Sequence, residues 1–404
     1  MDDKTTGLIH HPYVPPAGFA APQPGVFKAS TVIFPSVAVM RARQWKDRSG
    51  YTYGLHGTPT TYLLEERLAT LEGAGQCLLV PSGLAAIATV ALSLLNSGDE
   101  VLIPDNAYGP TKALAQGELQ HWGISHQIYD PLDAQDLARR LGPRTRLVWL
   151  EAAGSVTLEF PDLRELVRLC RAAGVRTALD NTWGAGLAFC AFDLGQGLGV
   201  DISVHALTKY PSGGGDVLMG CIATRDQALH LQLKHTHMRL GLGVGANDVE
   251  AVLRSLPSLA LRYAAHDRTA RALAQWCRAQ PVFAQVLHPA LPDAPGHAHW
   301  RALCGEGVGK AAGLFSVIVD ARYSQAQVDA FCDALQLFKL GYSWGGPMSL
   351  AVPYDLAGMR QRWPAHLARG TLVRFSTGLE DEADLRADLQ QALRRAFGPE
   401  AVRA

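Results

Sequence analysis

The sequence predicts an α/β protein: a mostly parallel seven-stranded sheet with helices on both faces, followed by a smaller C-terminal α+β domain. Three observations predict it. From about Tyr62 to Thr224, short apolar runs alternate with helical stretches, the pattern of strands joined by crossover helices. After roughly Val252 the texture turns Ala- and Arg-rich and helical, with few strand-like runs. The chain has 404 residues, more than one hydrophobic core usually supports.

Taken in order, residues 1–57 are punctuated by Pro12, Pro15, Pro16, Pro22, Pro24 and Pro35. They read as an irregular arm that contacts a neighbouring subunit, since such a segment buries little by itself. TYLLEERLATLEG reads as a helix stopped by Gly73. CLLVPS, EVLIPD, HQIYD, RLVWLEA, RTALDNT, DISVHALT and DVLMGCIAT read as strands. GLAAIATVALSLL, PTKALAQGELQHW, DAQDLARRL and DLRELVRLCRAAG read as the helices among them. Together they fill a large domain over residues 58–252. The helical LRYAAHDRTARALAQWCRAQ, the runs GLFSVIVD and TLVRFSTGL and a final helix make the small domain, residues 253–404.

Composition excludes several function classes. Hydrophobic residues make up 48% and charged residues 18%, enough apolar matter for a core and too much for a disordered chain. Lys plus Arg and Asp plus Glu are both 37. That balance gives no drive toward nucleic acid or an anionic membrane, and its weak self-repulsion permits oligomers. No apolar run reaches bilayer length. The opening MDDKTTGLIHHPYVPP is polar and proline-broken, which predicts no secretory leader. The seven cysteines are scattered without CxxC spacing, which supports neither a zinc knuckle nor a dithiol motif and fits reduced thiols in cytosol.

Chemistry is sought at the carboxyl ends of the strands, where open α/β sheets bind ligands. Of the eight lysines, most read as surface charges, but Lys209 follows the apolar run DISVHALT and precedes the flexible SGGG. A lysine held there loses hydration, which lowers its pKa and exposes its nucleophilic form. It can then form a Schiff base with a carbonyl cofactor; the alternative is a strand-end lysine reaching out to solvent. Asp180 ends the run RTAL. A carboxylate there could keep the pyridine nitrogen of pyridoxal phosphate protonated, or cap a helix. Ser82 and Gly83 end a strand and open a helix, whose free N–H groups make a phosphate site; the alternative is an ordinary turn. Tyr108, in DNAYGPT, is placed to stack on a flat ring or to pack in the core. Arg374, in TLVRFSTGLED, calls for a carboxylate partner: a substrate, or Glu380, Asp381 or Glu382.

In combination these features are specific. The sequence resembles the pyridoxal-phosphate enzymes of cysteine and methionine metabolism, from about Lys28 to about Leu389. SVHALTKYPSGGGDVLMG is similar to that family's lysine segment and DNTW to its aspartate segment, with Tyr51, SGL and AYGPT in the expected order. Within the family the chain is most similar to the cystathionine β-lyases, on GSVTLEF after Glu151, DNTWGAG from Asp180, and SWGG at 343–346. The resemblance implies the aspartate-aminotransferase-like fold (fold type I) and pyridoxal 5'-phosphate as cofactor. It implies that Lys209 holds the cofactor and then serves as acid and base, with Asp180 at the ring nitrogen and Tyr108 stacked on the ring. Ser82, the backbone at Gly83 and Leu84, and Thr208 would bind the phosphate, joined by Tyr51 from a neighbouring subunit. Arg374 and Ser343 would hold the substrate α-carboxylate, and Tyr108 would also contact the substrate as a catalytic residue beside Lys209.

The implied reaction is cleavage of an amino-acid thioether, L-cystathionine, to homocysteine, pyruvate and ammonia, within trans-sulfuration and methionine biosynthesis. The implied protein is a cytoplasmic homotetramer with shared active sites, without metal, nucleic-acid or membrane partners. A γ-acting member or a broader cysteine-conjugate β-lyase is the nearest alternative. A non-catalytic cofactor-binding protein is more remote, and a Rossmann oxidoreductase is disfavoured because no GxGxxG follows a strand. Several positions depart from the family pattern. Tyr53 stands where an arginine is usual two residues after the arm tyrosine, which leaves a phosphate dianion short of one cation unless His56 or another arginine substitutes. Ala206 replaces a serine, GGGD ending at Asp216 replaces GHSD, and Pro347 and Met348 follow the GG pair.

Overall fold

The computed structural model describes residues 4–46 and 48–403. All seven predicted strands of the large sheet form: β1 (Gln76–Val80), β2 (Glu100–Pro104), β3 (Ser125–Tyr129), β4 (Thr145–Glu151), β5 (Arg176–Asp180), β6 (Ile202–Ala206) and β7 (Gly220–Thr224). Their order is β1-β7-β6-β5-β4-β2-β3. The pairs from β6 through β5, β4 and β2 to β3 are parallel, whereas β7 runs antiparallel to both β1 and β6. The carboxyl ends of β1, β2, β4, β5 and β6 therefore share one edge of the sheet.

Alternation along the strands divides the core. In β1, Leu78 and Val80 face a layer that holds Ile87, Val90 and Leu233, while Cys77 and Leu79 face one that holds Leu64, Leu68 and Val167. Two buried faces explain why these strands read as near-continuous apolar runs. The helix Pro59–Glu72 starts on a capping box between Thr58 and Thr61 and stops at Gly73, which takes a left-handed φ of 74°. The stretch read as one helix from Pro110 instead runs from Gly109 to Leu114 and widens into a π turn over Ala115–Leu119.

The second sheet has five strands: β8 (Phe283–Leu287), β9 (Leu314–Asp320), β10 (Lys339–Leu340), β11 (Leu350–Tyr354) and β12 (Gly370–Ser376). Their order is β10-β11-β12-β9-β8. The helices Leu259–Arg278, Gln325–Ala334 and Glu382–Phe397 contribute to its apolar core.

One expectation needs correction. The arm is not wholly irregular: Lys4–Ile9 and Val37–Arg41 are helical, and the first is fixed by Leu8, buried in the main core. Most of the lysines other than Lys209 are surface charges as expected, with Lys4, Lys28, Lys46 and Lys339 exposed, but several amines are tied into the fold. Lys4 donates to the Gly186 carbonyl, Lys310 donates to the Leu187 carbonyl at 3.0 Å, and Lys234 is 4% exposed. Carbonyls and aromatic faces that come together only in the folded chain accept these amines. Among the described residues no helix is long and apolar enough to cross a membrane.

Candidate active site

A cavity of about 520 Å³ opens at the shared strand edge. Ser82, Gly83, Leu84, Tyr108, Asp180, Thr208, Lys209, Ser343 and Arg374 all line it. Tyr51 does not; it is half exposed, with its ring stacked on Tyr62 at 5.6 Å. Topology explains the convergence. Ser82 follows β1, Tyr108 follows β2, Asp180 ends β5 and Lys209 follows β6, while Arg374 arrives from β12 of the other sheet.

Lys209 does not reach out to solvent. Its Nζ donates to Ser343 Oγ at 2.7 Å and stands 5.2 Å from the centre of the Trp344 ring. Burial, then the Arg374 charge, lowers its pKa to about 8 against the pull of Asp180. Ser343 has a φ of 96°, a conformation that costs a residue with a side chain about 1–3 kcal/mol. Gly345 in the same turn could not carry a Cβ, which would fall 2.8 Å from the Tyr210 nitrogen. The SWGG turn is thus pressed onto the Lys209–Tyr210 backbone.

Arg374 is 7% exposed, and its Nε has no partner among the described residues. Its Nη2 donates to the Ser343 carbonyl at 3.2 Å, and its guanidinium stands 5.4 Å from the Tyr354 ring centre. Glu380 does not neutralise it; both carboxylate oxygens accept from Ser349. No ion pair to Arg374 occurs among the described residues. A buried cation in this state is short of an anion, and a substrate carboxylate supplies one.

Asp180 shows the reverse. Burial raises its pKa, although its Oδ1 accepts the Thr182 N–H at 3.0 Å. Glu151, its register partner on β4, accepts the Tyr108 N–H at 2.8 Å, and burial followed by the Asp180 charge holds its carboxyl well above the usual range. Two buried carboxyl groups side by side form a place short of positive charge, which a protonated ring nitrogen fills.

Ser82 caps the helix Gly83–Leu94 through the Ala85 N–H at 3.0 Å, and the first-turn N–H groups beside it meet the cavity with the helix dipole behind them. Thr208 adds a hydroxyl. These donors suit a phosphate. Among the described residues Lys209 and Arg374 are the only Lys or Arg side chains in the lining, so none of these residues gives a dianion there a dedicated cation. Tyr108 is 44% exposed, so it is no core tyrosine and its ring is free to stack.

Sequence reasoning missed several residues. Glu151 ends an apolar strand run just as Asp180 does, so the same signal marked it. Trp344 entered only as part of the run SWGG. Tyr342, Tyr354 and Met359 come from the second sheet and its connections, and nothing local singles them out.

The wall is braced by Glu159, which is fully buried. Burial would raise its pKa, but Arg360, His366 and Thr157 bring it down to about 2. Its folded value therefore lies below the ordinary 4.5, so its stabilising contribution is full above pH 4.5 and lost as pH falls toward 2. Glu159→Ala is expected to cost about 3–5 kcal/mol at pH 7, since it strands the buried Arg360. Urea unfolding would check this, and a cost below about 1 kcal/mol would show that the pair contributes little.

The chain matches the family described as "Cys/Met metabolism PLP-dependent enzyme" over residues 5–394. It is 38% identical over 399 residues to a protein named cystathionine beta-lyase from Bordetella avium, spanning 96% of this chain and 97% of that one. It is 33% identical to an L-alanine/L-glutamate racemase from Wolbachia pipientis wMel, with 92% of each covered. Its fold is similar to the crystal structure of cystathionine gamma synthase from Xanthomonas oryzae pv. oryzae in complex with aminoacrylate and cysteine. That likeness has a TM-score of 0.86 and 28% identity, and covers 98% of this chain and 99% of that one.

Proposed function

The chain belongs to the Cys/Met metabolism PLP-dependent enzyme family, and on that premise we propose that it is a carbon–sulfur β-lyase acting on L-cystathionine. The observation that carries the reading is the junction at Ser343, which binds the Lys209 amine through Oγ and the buried Arg374 through its carbonyl. One α-amino acid can thus present its carboxylate to Arg374 and its α-hydrogen to Lys209. The full-length likeness to the Bordetella protein supports the β-branch.

Bound pyridoxal phosphate supplies an electron sink for the negative charge that develops at the substrate α-carbon. Asp180 and Tyr108 would hold its ring, with Ser82, Gly83, Leu84 and Thr208 at its phosphate. Arg374 fixes the substrate carboxylate, which orients the α-hydrogen toward Lys209. Lys209, neutral in a useful fraction at neutral pH, removes that hydrogen, and Ser343 keeps its amine in place. The β-carbon–sulfur bond then breaks, and Lys209 is placed to return its proton to the departing thiolate. The released three-carbon enamine hydrolyses to pyruvate and ammonia.

Because the neutral amine is the active form, the rate of this step is expected to rise with pH and level off above a midpoint at about 8. The pH profile of kcat checks it; a midpoint near 10 would mean a solvated amine.

We also read the protein as a cytoplasmic dimer of dimers, divided at residues 57 and 252, whose arm serves a neighbouring site. Val14 and Ile33 in the arm are 91% and 90% exposed, which leaves apolar surface for another chain to cover. The Tyr51 assignment and the missing phosphate cation agree with shared sites. Sedimentation showing an active monomer would overturn this part.

A second reading, γ-elimination, draws on the likeness to the Xanthomonas structure. It requires a further proton abstraction at the β-carbon. Purified protein incubated with L-cystathionine is expected to yield pyruvate and homocysteine. Formation of 2-oxobutyrate and cysteine would move the protein to the γ-branch.

A further inference from the structure

The segment between β11 and β12, residues 355–369, has no part in the steps above, yet its Met359 lines the cavity together with Tyr354, the last residue of β11. Immediately beyond, the chain is fastened to the large sheet. Arg360 donates to both oxygens of Glu159, at 2.7 and 3.0 Å, and to the Thr157 hydroxyl. His366 Nε2 lies 3.0 Å from Glu159. Lys112 donates to the Met359 carbonyl, and the Gln361 N–H donates to Asp105 at 3.2 Å. The Arg360 and Glu159 side chains are only 4% and 1% exposed, so the joint is desolvated and rigid. Leu356 and Leu367 bury both ends of the segment in one apolar cluster with Val156.

The anchor points matter. Asp105 stands three residues before Tyr108, and Thr157 lies between Val156 and Leu158, which line the cavity with φ of 70° and 58°. The Glu159 carboxylate therefore ties the loop after β4 to the segment that carries Met359. With Arg374 and Ser343 assigned to the α-carboxylate, Lys209 to the α-carbon and the Ser82 turn to the phosphate, Val156, Tyr354 and Met359 are among the lining residues left for the sulfur substituent.

We propose that Met359 is a specificity-determining residue that packs against the thiol half of a large thioether, held there by Arg360 and Glu159 as positioning residues. The proposal rests on the β-lyase reading. The test is Met359→Ala and Arg360→Gln holoenzymes, assayed for kcat and KM with L-cystathionine, S-benzyl-L-cysteine and S-methyl-L-cysteine, with the visible cofactor band as a measure of loading. Each variant is expected to keep the band and to lower the large-to-small ratio of kcat/KM about tenfold, mainly through KM, as lost apolar pocket contacts do. Equal losses on all substrates with the band intact, or no loss, would overturn the proposal. If Arg360→Gln does not fold, Met359→Ala decides. A wild type that cleaves the S-benzyl and S-methyl compounds but not L-cystathionine overturns the cystathionine reading alone, and the S-benzyl to S-methyl ratio then judges Met359. A wild type inert to all three overturns both.

Discussion

Lys209→Ala is expected to lower pyruvate release from L-cystathionine about ten-thousand-fold, the upper end of what a positioned proton-transfer group contributes. The loss should appear in kcat, because Arg374 and the cavity walls that bind substrate are untouched. Cofactor should still bind through the phosphate donors and Asp180, without its covalent link and with a shifted visible band. Stability should not fall, since the variant removes an amine whose charge burial disfavours. Keto-acid assay and absorption spectra of one preparation read all three. A loss under about tenfold would assign the proton transfer to another group, with Tyr108 the next in the lining.

Arg374→Met is expected to cost about a thousandfold in kcat/KM, most of it in KM, the range for losing one partner of a desolvated charge pair. Arg374→Lys should recover little, since an ammonium cannot reproduce the flat two-pronged contact with a carboxylate. The same change should leave the thermal midpoint equal or higher. Burial lowers the Arg374 pKa and no acidic side chain among the described residues pairs with it, so it stands as a charge kept for its ligand. A large fall in midpoint with little change in KM would make Arg374 structural.

These two residues differ in how far they could be read from sequence. Lys209 sits between an apolar strand run and a glycine-rich turn, so one stretch of chain states both its burial and its freedom. Asp180 is marked in the same way by its strand end, and Ser82 by the step from strand to helix. The parallel sheet was legible because strands buried on both faces are apolar throughout. Arg374 is a strand arginine whose partner could be a substrate or one of three nearby acids, and only the fold shows Glu380 engaged by Ser349. Glu151 carried the same local signal as Asp180; its importance comes from their register across β4 and β5. The Glu159–Arg360 joint spans 201 residues of sequence, and no local pattern announces a pair so distant. The arm was read as irregular because its prolines dominate the pattern, whereas Leu8 finds its burial against a distant core.

The central claim is that the bond broken lies between sulfur and the β-carbon of the half held by Arg374 and Lys209. L-cystathionine labelled with ¹³C in its three-carbon half, followed by NMR during turnover, tests it directly. Label is expected in pyruvate, with unlabelled homocysteine in equal amount, and neither product with Lys209→Ala. Label appearing in cysteine would mean cleavage on the other side of sulfur, and exchange of the α-hydrogen with solvent without any cleavage would place the enzyme with racemising relatives; either result contradicts the account.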